Sequence, residues 1–204
     1  MTAGNEEMEL KDRLRLIETM IAEGRRTTES YGWTFVLWGV AYFIAIVWAS
    51  LSHGYLAWPV TMTAAGVLTG VIIGWRRSQK PTNRTGRAIG AIWYAMGVSM
   101  FIILMSLGFG SRSEPHIFIA IMAAMLATAN AASSIILKWK LQFVCAVVWW
   151  ALCIYACFDK AKQLTFDKPL TIAFLAALFF CQIVFGIYCM IREASVRRQE
   201  ASHA

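Results

Sequence analysis

The sequence predicts an all-α, polytopic membrane protein in which six transmembrane helices follow an N-terminal amphipathic cytosolic helix. Three observations carry this expectation. Of the 204 residues, 58% are hydrophobic and only 15% charged, whereas soluble domains hold roughly 45–50% apolar and about 25% charged residues. Asp, Glu, Lys and Arg are absent from residues 30–75, 88–111, 115–137, 141–158 and 169–191. A helix needs about 20 residues to cross roughly 30 Å of hydrocarbon, so the first run is long enough for two crossings and the others for one each. The nineteen Lys and Arg residues are divided unevenly between alternate connections, which sets an orientation.

The opening segment, residues 5–23, reads as a helix that does not cross the membrane. Leu10, Leu14, Ile17 and Ile21 recur at spacings of four, three and four, and Glu7/Lys11 and Glu9/Arg13 are favourable i,i+4 pairs. Six acids (Glu6, Glu7, Glu9, Asp12, Glu18, Glu23) stand against Lys11, Arg13 and Arg15. Helices that lie on anionic lipid are rich in Lys and Arg, so this apolar stripe suits a protein partner, a second copy or a cytosolic protein, better than lipid. The plainer alternative is that the helix folds back onto the inner ends of the spans. Gly24 is expected to loosen it ahead of Arg25 and Arg26. A charged helix in this position is not the pattern of a cleavable signal peptide. Residues 1–30 are therefore assigned to a cytosolic helix and juxtamembrane segment, 31–192 to the six-helix membrane domain, and 193–204 to a cytosolic tail.

The first run divides at Ser52-His53-Gly54-Tyr55, and Pro59 falls in the opening turn of the next helix, where a missing amide donor is tolerated. Spans one and two are 33–52 and 56–75, and span three is 88–109. Span four begins at Pro115 behind Ser113 and ends before Lys138. Span five, 141–158, is the shortest and can borrow Trp139 at its inner edge. Span six starts behind Asp167 and Pro169 and closes at Arg192. The short connections leave no room for a separate soluble catalytic domain, and no internal repeat supports inverted symmetry.

With the N-terminus inside, the inner segments hold Lys11, Arg13, Arg15, Arg25, Arg26, Arg76, Arg77, Lys80, Arg84, Arg87, Lys138, Lys140, Arg192, Arg197 and Arg198. Only Arg112, Lys160, Lys162 and Lys168 fall outside. Both termini are thus expected in the cytoplasm, in a multi-pass protein of the plasma (inner) membrane. The net charge of +7 then reflects topology, not nucleic-acid binding. Trp33, Trp75 and Trp139 mark the inner interface, and Trp48 and Trp58 the outer. One of Trp149 and Trp150, near mid-span, is expected to pack inward or face an apolar ligand.

No ionisable acid or base lies within a span, which disfavours proton-coupled pumps and transporters. No H-E-x-x-H, paired Asp or Ser/His arrangement lies at membrane depth, so no catalytic residue, resident metal or cofactor is expected and the protein reads as non-enzymatic. Gly66, Gly70 and Gly74 stack at four-residue spacing, a helix-packing signal within the chain or between copies. Ala120/Ala124/Thr128/Ala132 and Ala123/Ala127/Ala131 form similar rows on span four. Asn130 and Gln182 fall at similar depth and should seek each other or a backbone carbonyl. With Thr128, Ser133 and Ser134 they line a small polar cavity on one reading and act as interhelical glue on the other.

Cys145, Cys153, Cys157, Cys181 and Cys189 all lie in spans five and six, without a C-x-x-C motif. Cys153 and Cys157 share a face and, with Met96, Met100 and Met105, allow a copper(I) reading against the plainer one of apolar filler. His53 and His116, with Glu114, Asp159 and Asp167, are placed outside. They read as a metal or haem edge, or as solvated loop residues. Arg76, Arg77, Lys80, Arg84 and Arg87 form a basic loop without an acid, suited to anionic lipid or to an acidic partner such as the N-terminal helix of a neighbouring copy.

The first functional expectation is a non-enzymatic membrane subunit or scaffold that forms homo-oligomers. It presents Leu10, Leu14, Ile17, Ile21 and the basic loop to partners. The second is a small uncoupled channel or transporter for a neutral or apolar solute, with Asn130 and Gln182 on its pathway. The third, a cofactor-binding subunit of a redox complex, rests on the outer His pair.

Overall fold

A computed structural model describes residues 3–52, 56–77, 84–109, 114–159 and 168–202. Its elements are α1 (Ala3–Ser30), α2 (Gly32–Ser52), α3 (Ala57–Arg77), α4 (Arg84–Phe109), α5 (Pro115–Leu137), α6 (Lys140–Phe158) and α7 (Pro169–Leu178). A π-helical segment, Phe179–Val184, joins α7 directly to α8 (Phe185–Ser202). No strand occurs among the described residues. Among the described residues six helices are long and apolar enough to cross a membrane: Gly32–Leu51, Ala57–Trp75, Thr85–Ile103, His116–Leu137, Lys140–Phe158 and Pro169–Val196. The chain is a multi-pass membrane protein.

Local chemistry accounts for the ends of α5 and the start of α7. Pro115 and Pro169 open α5 and α7, where an amide donor is not needed, behind extended Glu114 and Lys168. The residue ahead of α5 is Glu114, whose carbonyl accepts from the Ile117 and Phe118 amides at 3.1 and 3.3 Å. The expected cap, Ser113, lies outside the described residues. At the other end Lys138 adopts a left-handed conformation (φ 49°, ψ 44°). The Trp139 amide then closes on the Ser134 carbonyl at 2.9 Å. This is a Schellman-like stop built on a lysine where glycine is usual, and it reverses the chain from α5 into α6 within two residues.

Three expectations about helix ends are corrected. α1 continues through Gly24 to Ser30, because one helical glycine costs only about 1 kcal/mol against alanine. The last helix does not close at Arg192: α8 runs past it to Ser202, since Glu, Ala, Arg and Gln are all compatible with a helix. Trp139 precedes α6 as its extended N-cap instead of lengthening the span.

α5 is the central helix. Of its span 61% is buried, against 22% for α3 and 17% for α4. α5 and α6 form the most extensive pair, and α2 packs on α3, on the π-helical segment and on α8. Ala123, Ala127 and Ala131 are buried, so that row of small residues lies inside the bundle. Edge-on aromatic pairs knit the helices together: Phe35 with Trp93 (4.9 Å) and Phe185 (5.3 Å), Trp58 with Phe118 (4.9 Å), and Trp149 with Phe174 (6.0 Å). Trp149 is fully buried and Trp150 faces out, which places one of the mid-span pair inward as expected. Trp139, at the start of the fifth span, is buried in the core against Phe185 and Tyr188.

At its glycines α2 approaches the backbone of the last span closely. A Cβ on Gly32 would stand 2.7 Å from Cys189 Cβ and 2.8 Å from the Gly186 carbonyl oxygen; one on Gly39 would stand 2.8 Å from Ile183 Cγ1. A Cβ on Gly186 would stand 2.7 Å from the Gly32 carbonyl oxygen. In hydrocarbon, helices gain little from excluding water and associate through this kind of close packing.

Candidate functional site

The polar side chains at membrane depth do not converge. Asn130 is fully buried, and its Nδ2 donates to the Leu126 carbonyl one turn back at 2.8 Å. It thereby takes the backbone-carbonyl option instead of pairing with Gln182. Gln182 is buried in the π-helical segment beside Gly39 of α2. Ser133 is buried and accepts a hydrogen bond from Trp93 Nε1 at 3.1 Å, tying α4 to α5. Thr128 is exposed and donates to the Ala124 carbonyl at 2.9 Å. A step of two residues turns a helix by roughly 200°, so Thr128 cannot share the face of Asn130. The four residues do not line one cavity, and Ser134 is likewise bonded within its helix, to the Ala131 carbonyl.

Other buried polar groups carry no signal in the sequence beyond their residue type. Among the described residues Gln142 is fully buried with neither amide atom bonded, and Asn130 Oδ1, Trp149 Nε1 and Thr171 Oγ1 also lack hydrogen bonds. Such groups cost about 1–3 kcal/mol each. α5 and α6 diverge from one turn, so at about 1.5 Å per residue Asn130 and Trp149 stand at similar height.

Among the described residues no three His, Cys, Asp or Glu side chains are grouped to hold an ion, and the side chain of Met105 lies outside the described residues. Met100 Sδ accepts from Tyr42 Oη at 3.3 Å between α2 and α4, on elements that do not carry the cysteines. Cys145 of α6 neighbours Cys181 of the π-helical segment, and Cys153 neighbours Cys157; all five cysteines are free. His116 Nε2 lies 3.2 Å from Glu114 Oε2. His53 and Asp167 lie outside the described residues.

Where α1 meets the bundle, an ion pair forms. The last turns of α1 pack among α4, α5 and α8. Glu29 is buried there, and its Oε1 lies 3.0 Å from Arg192 Nε, while Arg192 Nη1 donates to Tyr188 Oη at 3.3 Å. Sequence reading missed Glu29 because it stands just outside the charge-free run. Farther out, every side chain from Glu9 to Met20 is exposed, including Leu10, Leu14 and Ile17, and Ile21 is half-buried. Arg13 pairs with Glu9 along the helix. Of the basic segment, Arg87 is exposed on α4; the side chains of Arg76, Arg77 and Arg84, and Lys80 altogether, lie outside the described residues.

The glycine row of α3 makes no contact with another helix among the described residues. Gly66, Gly70 and Gly74 are exposed, and nothing lies within 4 Å of a Cβ placed on any of them. The intramolecular packing role falls instead to Gly32, Gly39 and Gly186, whose spacing across two distant helices has no local signature.

Comparison with protein-family models, with curated proteins and with solved structures finds no match.

Proposed function

We propose that this protein is a non-enzymatic, oligomeric membrane subunit or scaffold that presents α1 and the basic segment 76–87 to partners on the cytoplasmic side. The observation that carries this reading is the state of α1. Its last turns are fixed on the bundle through Glu29 and Arg192, while Leu10, Leu14, Leu16 and Ile17 stand exposed on the part that projects. A solvent-exposed apolar row on an anchored helix is unfavourable unless something covers it. Fewer than three heptads make a weak coiled coil alone, so the membrane domain has to hold the helices close together. The fifteen-to-four division of Lys and Arg supports cytoplasmic termini in a plasma (inner) membrane. Replacing Leu14 and Ile17 with Ser tests the reading. Chemical cross-linking through α1, between copies or to a cytosolic protein, should fall while membrane insertion is unchanged; unchanged cross-linking removes the partner role.

A second reading, an uncoupled channel or transporter for a neutral solute, draws on the unbonded Gln142, Asn130 Oδ1, Trp149 Nε1 and Thr171 and on the π-helical segment, a form frequent at functional positions. Solute-dependent swelling of vesicles containing the protein, reduced by Gln142→Leu, would favour it over the scaffold.

A further inference from the structure

We infer that the exposed stretch of α1 pairs with the same stretch of a second copy as a short parallel coiled coil, in which Arg13 of each copy meets Glu18 of the other. The inference rests on the reading above and names its partner. α1 packs on α4, α5 and α8 of its own chain and is fixed there through Glu29 and Arg192, while every side chain of residues 9–20 is exposed. Leu10, Leu14, Ile17 and Ile21 repeat at four, three and four residues, the d-a-d-a order of a heptad. That order fixes the other positions. Lys11 and Glu18 take e, Arg13 and Met20 take g, and Asp12, Arg15, Leu16 and Thr19 fall on b, c and f, away from the seam.

Charge selects the occupant. In a parallel pair the g residue of one helix lies beside the e residue of the following heptad on the other, and these positions set partner choice and orientation. Arg13 at g therefore faces Glu18 of the second copy, and a symmetric pair makes this contact twice. Copies inserted the same way round carry α1 on the same side of the membrane, as the contact requires. Lipid is a poorer occupant, because residues 9–20 hold Glu9, Asp12 and Glu18 against Lys11, Arg13 and Arg15, without the cationic excess of helices that lie on anionic lipid. A soluble partner is poorer too. The seam covers residues 10–21, fewer than two heptads, and only a copy held in the same bilayer adds the effective concentration that so short a seam needs. Arg13 also pairs with Glu9 along its own helix, so the test separates contacts between copies from contacts within one.

The test is energy transfer between donor- and acceptor-labelled full-length copies in phosphatidylcholine vesicles, over a range of protein densities. Arg13→Glu and Glu18→Arg each set like charges against one another in a pair of identical copies. Each should weaken self-association about threefold or more, as two exposed charge pairs turn from attraction to repulsion. Mixed one to one, the two variants oppose unlike charges at both contacts, and transfer between them should return to the wild-type level. Oxidative cross-linking gives the register: Leu10→Cys and Ile17→Cys should each cross-link to its own kind, and Leu16→Cys, on the outer face of the pair, should not. If copies associate but the mixed variants transfer no better than either alone, or Leu16→Cys cross-links as readily as Leu10→Cys, the parallel pair is wrong while the oligomeric reading stands. If wild type stays monomeric at every density and α1 cross-links to a cytosolic protein, the partner reading stands and this inference fails. If wild type stays monomeric and α1 cross-links to nothing, both fail.

Discussion

Gly186 and Gly32 meet backbone to backbone: a Cβ on Gly186 would stand 2.7 Å from the Gly32 carbonyl oxygen and 2.8 Å from Val36 Cγ2. The neighbour at 2.7 Å is a main-chain atom, which does not move aside as a flexible side chain does. Gly186→Ala should therefore separate α2 from α8 and destabilise the protomer by about 1–3 kcal/mol, the usual range for overpacking. Gly70→Ala should change protomer stability by less than about 0.5 kcal/mol. Thermal unfolding of the two variants in the same detergent compares them directly.

The Glu29–Arg192 pair should behave as a unit. Arg192→Ala removes one cationic partner of the buried Glu29 carboxylate and should destabilise the docking of α1 by about 1–2 kcal/mol, less than a fully buried pair because Arg192 is partly exposed. Adding Glu29→Gln to that variant should recover part of the loss. Protection of the α1–α2 junction from protease reads out the docking, and additive losses would mean that the two side chains do not interact.

Lys138 is the one described residue other than glycine with positive φ. Lys138→Gly removes the steric cost of the left-handed conformation, about 1–2 kcal/mol, which outweighs the greater freedom of glycine in the unfolded chain, and should stabilise the α5–α6 hairpin. Lys138→Val should lower the melting temperature instead, since a β-branched residue fits that conformation poorly.

The Trp93–Ser133 hydrogen bond joins α4 to α5. A double-mutant cycle with Trp93→Phe and Ser133→Ala should give a coupling energy of about 0.6–2 kcal/mol, the range for polar contacts between membrane helices. Zero coupling would leave α4 held by apolar packing alone.

How far the sequence could be read depends on what a local pattern encodes. Charge-free runs and proline positions mark the six spans, because lipid solvation constrains composition residue by residue. A four-residue glycine spacing encodes a face but not what lies opposite it. Gly66, Gly70 and Gly74 therefore drew the packing assignment, while the protomer uses Gly32, Gly39 and Gly186. The π-helical segment at Phe179–Val184, where Gln182 and Ile183 lie against Gly39, has no composition of its own. Glu29 and Gln142 share a different cause. Each stands within two residues of the boundary of an apolar run, and only the packing of neighbouring helix ends decides that such a residue is buried.

Native mass spectrometry of the full-length protein released from lipid nanodiscs tests the oligomeric scaffold most directly, beside a variant carrying Leu14→Ser and Ile17→Ser. Wild type should give a whole-number multiple of the protomer mass greater than one, and the double variant should shift toward the monomer. Monomers from both proteins under all conditions would contradict the account.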